Sequence, residues 1–403
     1  MKITNHVYKD LIQQYPSWIE LKTYLTSPEG GSLQLSDIQA PYCMIRSKNN
    51  LATGAAHTKW FRSTVWNMET NFPVSVAPPK ASNEFSYTSC QDIVQADLLC
   101  QEFLDGFMIN CFVVKGSNEV HITSRSKLDA TGHFYSSKTF RQLFLDAYKG
   151  SEFVWGENTC ELMFHGELSE DEEGRSYSFL VQHMEHRVVT PIIENRAFLV
   201  QWASIKADGS VIVMDGLEDI PRITVESSAM NVIEWFSGLL SEKDWTFQGV
   251  VFKDLAGNRW RFRNSAYLAV KGLRGNSAAH VDRFAQLYLR NMTQEYLKYY
   301  PEESFTFVCN NVFMNMIHQI VYNYYVQVHI TKTIVMNDVE SIYRRHVYQL
   351  HKHFVNVLRP QKKKIRYNEV VAYFYSLSWQ SIVFLIKGIQ DSYFLKMNEV
   401  VNQ

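Results

Sequence analysis

EFLDGFMINCF, residues 102 to 112, sets a short polar break inside an apolar run. Asp105 and Gly106 are the residue pair that turns a chain tightly. Beyond them FMINCFVV (107–114) has the β-branched and aromatic content of a strand. Gly116-Ser117-Asn118 and then EVHITSR (119–125) complete a predicted hairpin. Asp-Gly turns are common, so the weight of this one rests on the motifs downstream of it.

At 403 residues the chain has room for two or three domains, and its 46% hydrophobic content is enough to build ordinary cores, which excludes a disordered polymer. Aromatic residues make up 14%, which favours β-rich cores and leaves rings for stacking. A formal net charge of -1 excludes global attraction to polyanions, so a nucleic-acid surface has to be a local patch. The cysteines Cys43, Cys90, Cys100, Cys111, Cys160 and Cys309 contain no C-x-x-C pair. That argues against a zinc site or disulfide framework and fits a reducing compartment. MKITNHVYKDL lacks the apolar core of a signal peptide, and no segment reaches eighteen uninterrupted apolar residues. The expectation is a cytoplasmic protein without a membrane partner.

Residues 1–80 read as an N-terminal extension: a helix from Tyr8 to Tyr24, then Gly, Ser and Pro-rich loops closing at Ala77-Pro78-Pro79-Lys80. Residues 81–278 form the second expected domain. Between about 98 and 265 its pattern is mainly short strands, interrupted by helices in KTFRQLFLDAYKG, ending at Gly150, and MNVIEWFSGLLSEK, ending before Asp244. The acidic run Glu167 to Glu173 reads as a solvated loop. From 279 to 403 apolar residues recur at helical spacing through VDRFAQLYLRNM, NVFMNMIHQIVYNYYVQV, VESIYRRHVYQLHKHFVNVL and WQSIVFLIKGIQ. A separate all-α domain follows from that spacing.

Downstream of Asp105-Gly106 come, in order, Thr123-Ser124-Arg125, SFLVQHMEHRVV (178–189), FQGVVFKD (247–254) and RWRFRN (259–264). SAYLAVKGLRGN (265–276) and LKYYPE (297–302) close the series. Arg261 and Arg263 stand at i and i+2, so strand alternation puts both guanidiniums on one face. The ordered set resembles the covalent nucleotidyltransferase superfamily, in particular bacteriophage-type RNA ligases and ligase-like proteins of large DNA viruses, over roughly residues 80 to 395. The resemblance implies an α+β chain: a nucleotidyltransferase (ATP-grasp-like ligase) fold of antiparallel sheets with flanking helices, followed by a helical domain.

In that family a lysine two residues before the Asp attacks the α-phosphate of ATP. Here Phe103 holds its place and has no nucleophilic atom. Asp105 and Gly106 match the rest of the motif, and Arg125 matches a residue that meets ribose or phosphate. Phe179 falls where the family sandwiches adenine. Gln248 stands where the family has a metal-binding or lysine-activating carboxylate, and a neutral amide is a poor ligand for a hard cation. Lys253 belongs to the same motif, and Arg261 and Arg263 match the pair that grips the α-phosphate. Lys80, Lys115 and Lys127 do not lie beside Asp105-Gly106, so none is expected to replace the lysine.

In the helical region Arg344, Arg345, Lys352, Lys362, Lys363 and Lys364 form a basic cluster suited to RNA phosphates, or alternatively a solvated helix end. The histidines at 346, 351 and 353 lack the spacing of a metal pair. The expectation is therefore a catalytically degenerate RNA-ligase-like protein that binds RNA or nucleotide, or serves as a scaffold among viral proteins in a virion. The alternative is an active ligase, using ATP and magnesium or sealing pre-adenylated RNA.

Overall fold

The computed structural model describes residues 2–47, 55–117, 119–149, 168–216, 220–226 and 231–401. Asn118, Gly150, Cys160, Glu167 and Met230 lie outside them. The described residues divide into two compact units, Met1–Ala269 and Val270–Gln403. The first is mixed α/β with antiparallel sheets, and the second is helical among the described residues.

In chain order the strands are β1 (Lys2–Asn5), β2 (Gln34–Gln39), β3 (Tyr42–Arg46), β4 (Thr64–Asn67), β5 (Phe72–Ser75), β6 (Leu99–Glu102), β7 (Phe107–Val114), β8 (His121–Ser124), β9 (Glu172–Gln182), β10 (Arg196–Lys206), β11 (Val211–Asp215), β12 (Gly249–Lys253) and β13 (Arg259–Arg263). The helices of the first unit are α1 (Val7–Gln14), α2 (Trp18–Thr26), α3 (Cys90–Gln95), α4 (Phe140–Lys149) and α5 (Val232–Ser241), and α6 (Ser265–Arg274) runs into the second. That unit continues with α7 (His280–Leu289), α8 (Thr293–Tyr299), α9 (Ser304–Tyr325), α10 (Ser341–His353), α11 (Tyr367–Tyr375) and α12 (Trp379–Val401).

Several expectations for the first 80 residues are corrected. The predicted helix from Tyr8 to Tyr24 is two helices, because Pro16 has no N–H to continue the first. Ser17 then caps α2, accepting from the Glu20 N–H while the Glu20 side chain returns to the Ser17 backbone. The expected loops contain a four-stranded antiparallel sheet, β2-β3-β4-β5. Neither is the segment a detached extension: β1 pairs with β11, and Tyr8, Leu11, Leu21 and Leu25 pack with Ala203, Ile205, Val211 and Val213.

Two further antiparallel sheets complete this unit. One has the order β1-β11-β10-β9-β7-β8 and contains the predicted hairpin of β7 and β8; the other has the order β13-β12-β6. One face of the six-stranded sheet packs Ile109, Cys111, Tyr177, Phe179 and Val181 against Phe144, Ala147 and Tyr148 of α4. The acidic run is not all solvated. Glu172 opens β9 and is buried, held by Arg175 at 2.6 Å and by the Ser204 hydroxyl at 2.5 Å. Burial opposes its ionisation, but those donors hold the carboxyl down to about 2.

In the second unit a charged network sits in the core. Arg283 is fully buried and donates to both Glu303 oxygens at 2.8 and 2.9 Å, and Arg274 donates to the same carboxylate. Tyr296 accepts from Arg274 at 2.5 Å. Among the described residues no single helix is long and apolar enough to cross a membrane.

Burial raises the Glu303 pKa, yet His280, Arg274 and Arg283 outweigh it and hold the carboxyl at about 2, below its ordinary 4.5. A depressed carboxyl stabilises fully above its unfolded value and loses that contribution as pH falls toward its folded value. Urea melts followed by far-UV circular dichroism are expected to show the helical unit weakening between pH 4.5 and 2. At pH 7 Glu303→Gln, which leaves buried guanidiniums uncompensated, is expected to be roughly 3–5 kcal/mol less stable, with a flatter acid limb.

Candidate functional site

The Asp-Gly turn carries the chain from the last residue of β6, in the three-stranded sheet, to β7, in the six-stranded one. Asp105 is buried, and its carboxylate accepts from the Val189 N–H at 2.8 Å, the Thr190 N–H at 3.0 Å and the Tyr267 hydroxyl at 2.9 Å. Gln182 donates to its carbonyl at 2.9 Å. Gly106 is required by a close approach: a Cβ there would meet the Val181 carbonyl oxygen at 2.5 Å. Both residues therefore build the turn and do not point at a ligand, which corrects their assignment as nucleotide contacts.

Register sets the face that looks out of the three-stranded sheet. Arg263 pairs with Gly249, Arg261 with Val251 and Arg259 with Lys253, while Val251 and Lys253 pair on the other side with Gln101 and Leu99. Phe103 extends the series by donating its N–H to the Gly249 carbonyl at 2.9 Å. Three cross-strand rows result: Phe103-Gly249-Arg263, Gln101-Val251-Arg261 and Leu99-Lys253-Arg259. The alternate residues Cys100, Val250, Phe252, Trp260 and Phe262 turn the other way, into a core with Phe85 and Phe236. Gly249 has φ +138, and a Cβ there would lie 2.0 Å from the Phe262 oxygen. With no side chain between them, the Arg263 guanidinium sits over the Phe103 ring, 5.5 Å from its centroid. The Arg263 Nε is buried without a hydrogen-bond partner.

The six-stranded sheet presents a polar row to this cationic face. Thr123 pairs with Asn110, Asn110 with Ser178, Ser178 with Gln201, and Gln201 with Asp215. Ser178 donates to Asn110 at 2.8 Å. Two contacts join the sheets face to face: Arg259 to Gln201 at 3.0 Å and Lys253 to Asp215 at 3.1 Å. Lys253, expected to meet nucleotide, is thus buried in an internal ion pair. Burial and the Arg259 charge lower its pKa to about 8, against the pull of Asp215. Burial likewise brings Arg259 down to about 10.

Further cations converge from loops. Arg62 precedes β4 and Arg125 follows β8, and the two are tied where the Ser63 hydroxyl donates to the Arg125 carbonyl at 3.1 Å. Burial pushes Arg62 down to about 10, helped by the charges of Arg125, Arg259 and Arg261. Lys80 is lowered by burial and then by Arg261, Arg62 and Arg125; Arg125 by burial and then by Arg46; Arg261 by burial and then by Arg263. These mutual effects place six positive side chains within electrostatic reach of one another: Arg62, Lys80, Arg125, Arg259, Arg261 and Arg263. All the arginines stay protonated at neutral pH. The arrangement is an anion site in which guanidinium forks converge on shared space.

The structure therefore brings Phe103, Arg125, Arg261 and Arg263 to this face but turns Phe179 away. Phe179 is buried against Phe144 at 5.3 Å and Tyr148 at 5.8 Å on the opposite side of β9, because alternation there sends 177, 179 and 181 toward α4. It is not an adenine platform. Gln248 is buried, and its carbonyl accepts from Asn264 at 3.0 Å. The sequence reading does not find Arg62, Asn110, Gln201 or Asp215. Arg259 had a visible signal, since it precedes Arg261 by two residues on the same strand. Among the described residues no three His, Cys, Asp or Glu side chains group as metal ligands.

In the helical unit Arg344 is committed locally, donating to the Asn337 and Val339 carbonyls at 2.9 and 3.0 Å. This corrects its reading as a phosphate contact. Arg345, Lys352, Lys362, Lys363 and Lys364 are exposed. Set against known proteins, the chain matches no family model and no curated protein.

Since Asp105 depends on its donors, Tyr267→Phe is expected to destabilise the first unit by about 1.5–3 kcal/mol in denaturant melts, the usual worth of a hydrogen bond to a charged group.

Proposed function

We propose that the chain is a catalytically degenerate, RNA-ligase-like member of the covalent nucleotidyltransferases, which holds the phosphates of RNA or of a nucleotide without forming a covalent bond to them. The observation that carries this reading is the row Phe103-Gly249-Arg263: an aromatic ring lies where the resembled family places its amine, while the cations beside it remain. The antiparallel β13-β12-β6 sheet, facing a second sheet across Arg259–Gln201 and Lys253–Asp215, is consistent with the nucleotidyltransferase fold.

ATP fits this chain in part. Arg62, Lys80, Arg125, Arg261 and Arg263 are suited to a polyphosphate, whereas the base would need a platform other than Phe179. Magnesium, when bound with the nucleotide, would neutralise phosphate charge; Gln248 supplies no carboxylate for it. The exposed cations from Arg345 to Lys364 add a surface for RNA phosphates. A second reading, a structural protein with a closed cleft, is favoured by the same stacked pair, because Arg263 over Phe103 fills the space that a nucleophile would share with the α-phosphate.

The test is incubation with α-labelled ATP and magnesium, followed by denaturing electrophoresis of the native chain and Phe103→Lys. The native chain is expected to stay unlabelled and the variant to take up label, since Arg263 would keep part of the new amine deprotonated. Label on the native chain overturns the reading. Binding of a 5′-phosphorylated RNA is measured in parallel against salt. Arg62→Ala/Arg125→Ala is expected to weaken binding and to reduce the logarithmic salt slope by about 0.7 for each phosphate left without its cation. Absence of RNA and ATP binding by the native chain selects the structural reading.

A further inference from the structure

α9 carries an apolar stripe that nothing in the helical unit covers. Phe305, Val308, Val312 and Met316 are 81, 58, 50 and 38% exposed. Their spacing of three, four and four residues places them on one side of the helix, opposite the buried Phe307, Met314, Ile317 and Val321. A surface helix normally sets charge on its outer face. This one, SFTFVCNNVFMNMIHQIVYNYY, has no Asp, Glu, Lys or Arg over 22 residues, and the positions flanking the stripe are Asn311, Asn315, Gln319 and Asn323.

We infer that this face is a homodimer interface in which α9 packs antiparallel against α9 of a second copy about a two-fold axis near residues 310 and 311. Two features select a second copy as the occupant. The first is charge: an isologous contact sets a surface against itself, so any charged residue near the axis would meet its own kind. An uncharged stripe avoids that repulsion and gives a charged partner nothing to grip. The second is order. Reversing the helix about residues 310 and 311 sets Phe305 opposite Met316 and Val308 opposite Val312, so the larger side chains meet at the two ends and the β-branched pair meets at the centre. The stripe spans about 16 Å at the helical rise, and antiparallel alignment also opposes the two helix dipoles favourably. The polar amides beside it provide an uncharged rim.

The experiment is sedimentation equilibrium of the full chain at tens of micromolar, with helix content checked by circular dichroism. The native chain is expected at twice its 47.0 kDa mass. Val312→Lys is expected at the single-chain mass with unchanged helix content, because two lysines would face the apolar Val308 positions across the axis. Val308→Glu/Val312→Lys is expected to return to the dimer, since the antiparallel register sets each introduced acid against the partner's introduced base. A native chain of single mass overturns the proposal. So does a Val312→Lys chain that remains dimeric, or a folded double variant that stays monomeric.

Discussion

The first unit depends on the satisfaction of one buried carboxylate. Asp105 lies at the crossing from one sheet to the other, and three donors from two distant segments converge on it: the backbone at Val189 and Thr190, and the hydroxyl of Tyr267. A buried carboxylate without such donors costs several kcal/mol, so the loop after β9 and the start of α6 are held to it. Gln182 and the close approach of Gly106 to Val181 fix the backbone on its other side. The SFLVQHMEHRVV stretch acquires a structural meaning here. Its His183 accepts the Glu185 N–H and meets Asn195, and His186 packs beside Phe107 and Phe140, shaping the loop that delivers the two N–H groups.

With that crossing fixed, strand register does the remaining work. The same alternation that buries Trp260 and Phe262 turns Arg259, Arg261 and Arg263 outward, and the alternation that buries Tyr177 and Phe179 turns Ser178 toward them. Two apolar faces would have closed into a sandwich core. Instead a polar row meets a cationic row, joined through Arg259–Gln201 and Lys253–Asp215. Like charges gathered this closely lower one another's pKa and weaken the isolated fold, a cost that an anionic ligand removes by binding. Asp215 relieves only the Lys253 end of the cluster.

The sequence makes the along-chain features legible and the across-chain ones opaque. The Asp-Gly turn, the β7–β8 hairpin, the helical tail and the shared face of Arg261 and Arg263 all follow from local periodicity. Phe179 is misplaced because a strand's two faces look alike in sequence, and only the packing of α4, some thirty residues away, decides which is core. Asn110, Gln201 and Asp215 are ordinary polar letters until β7, β10 and β11 are set in register beside β9. The sheet of β2 to β5 escapes because its strands are short and its turns rich in Gly, Ser and Pro. Arg344 looks like its neighbour Arg345, yet one caps backbone carbonyls and the other faces solvent.

Phe103 shows how such a cleft can lose one chemistry while keeping its architecture. Its backbone makes the β6–β12 hydrogen bond that any residue except proline would make, so the turn does not depend on the side chain. Gly249 leaves a gap in that row, and the gap places whatever stands at 103 directly beneath Arg263. An amine there would be repelled by the guanidinium and would lose proton affinity, the condition a nucleophile needs. A ring is instead attracted by it. The same geometry thus turns an electrostatic conflict that activates an amine into a contact that stabilises the aromatic side chain. The fold, the cationic row and the crossing at Asp105 have no need of the amine.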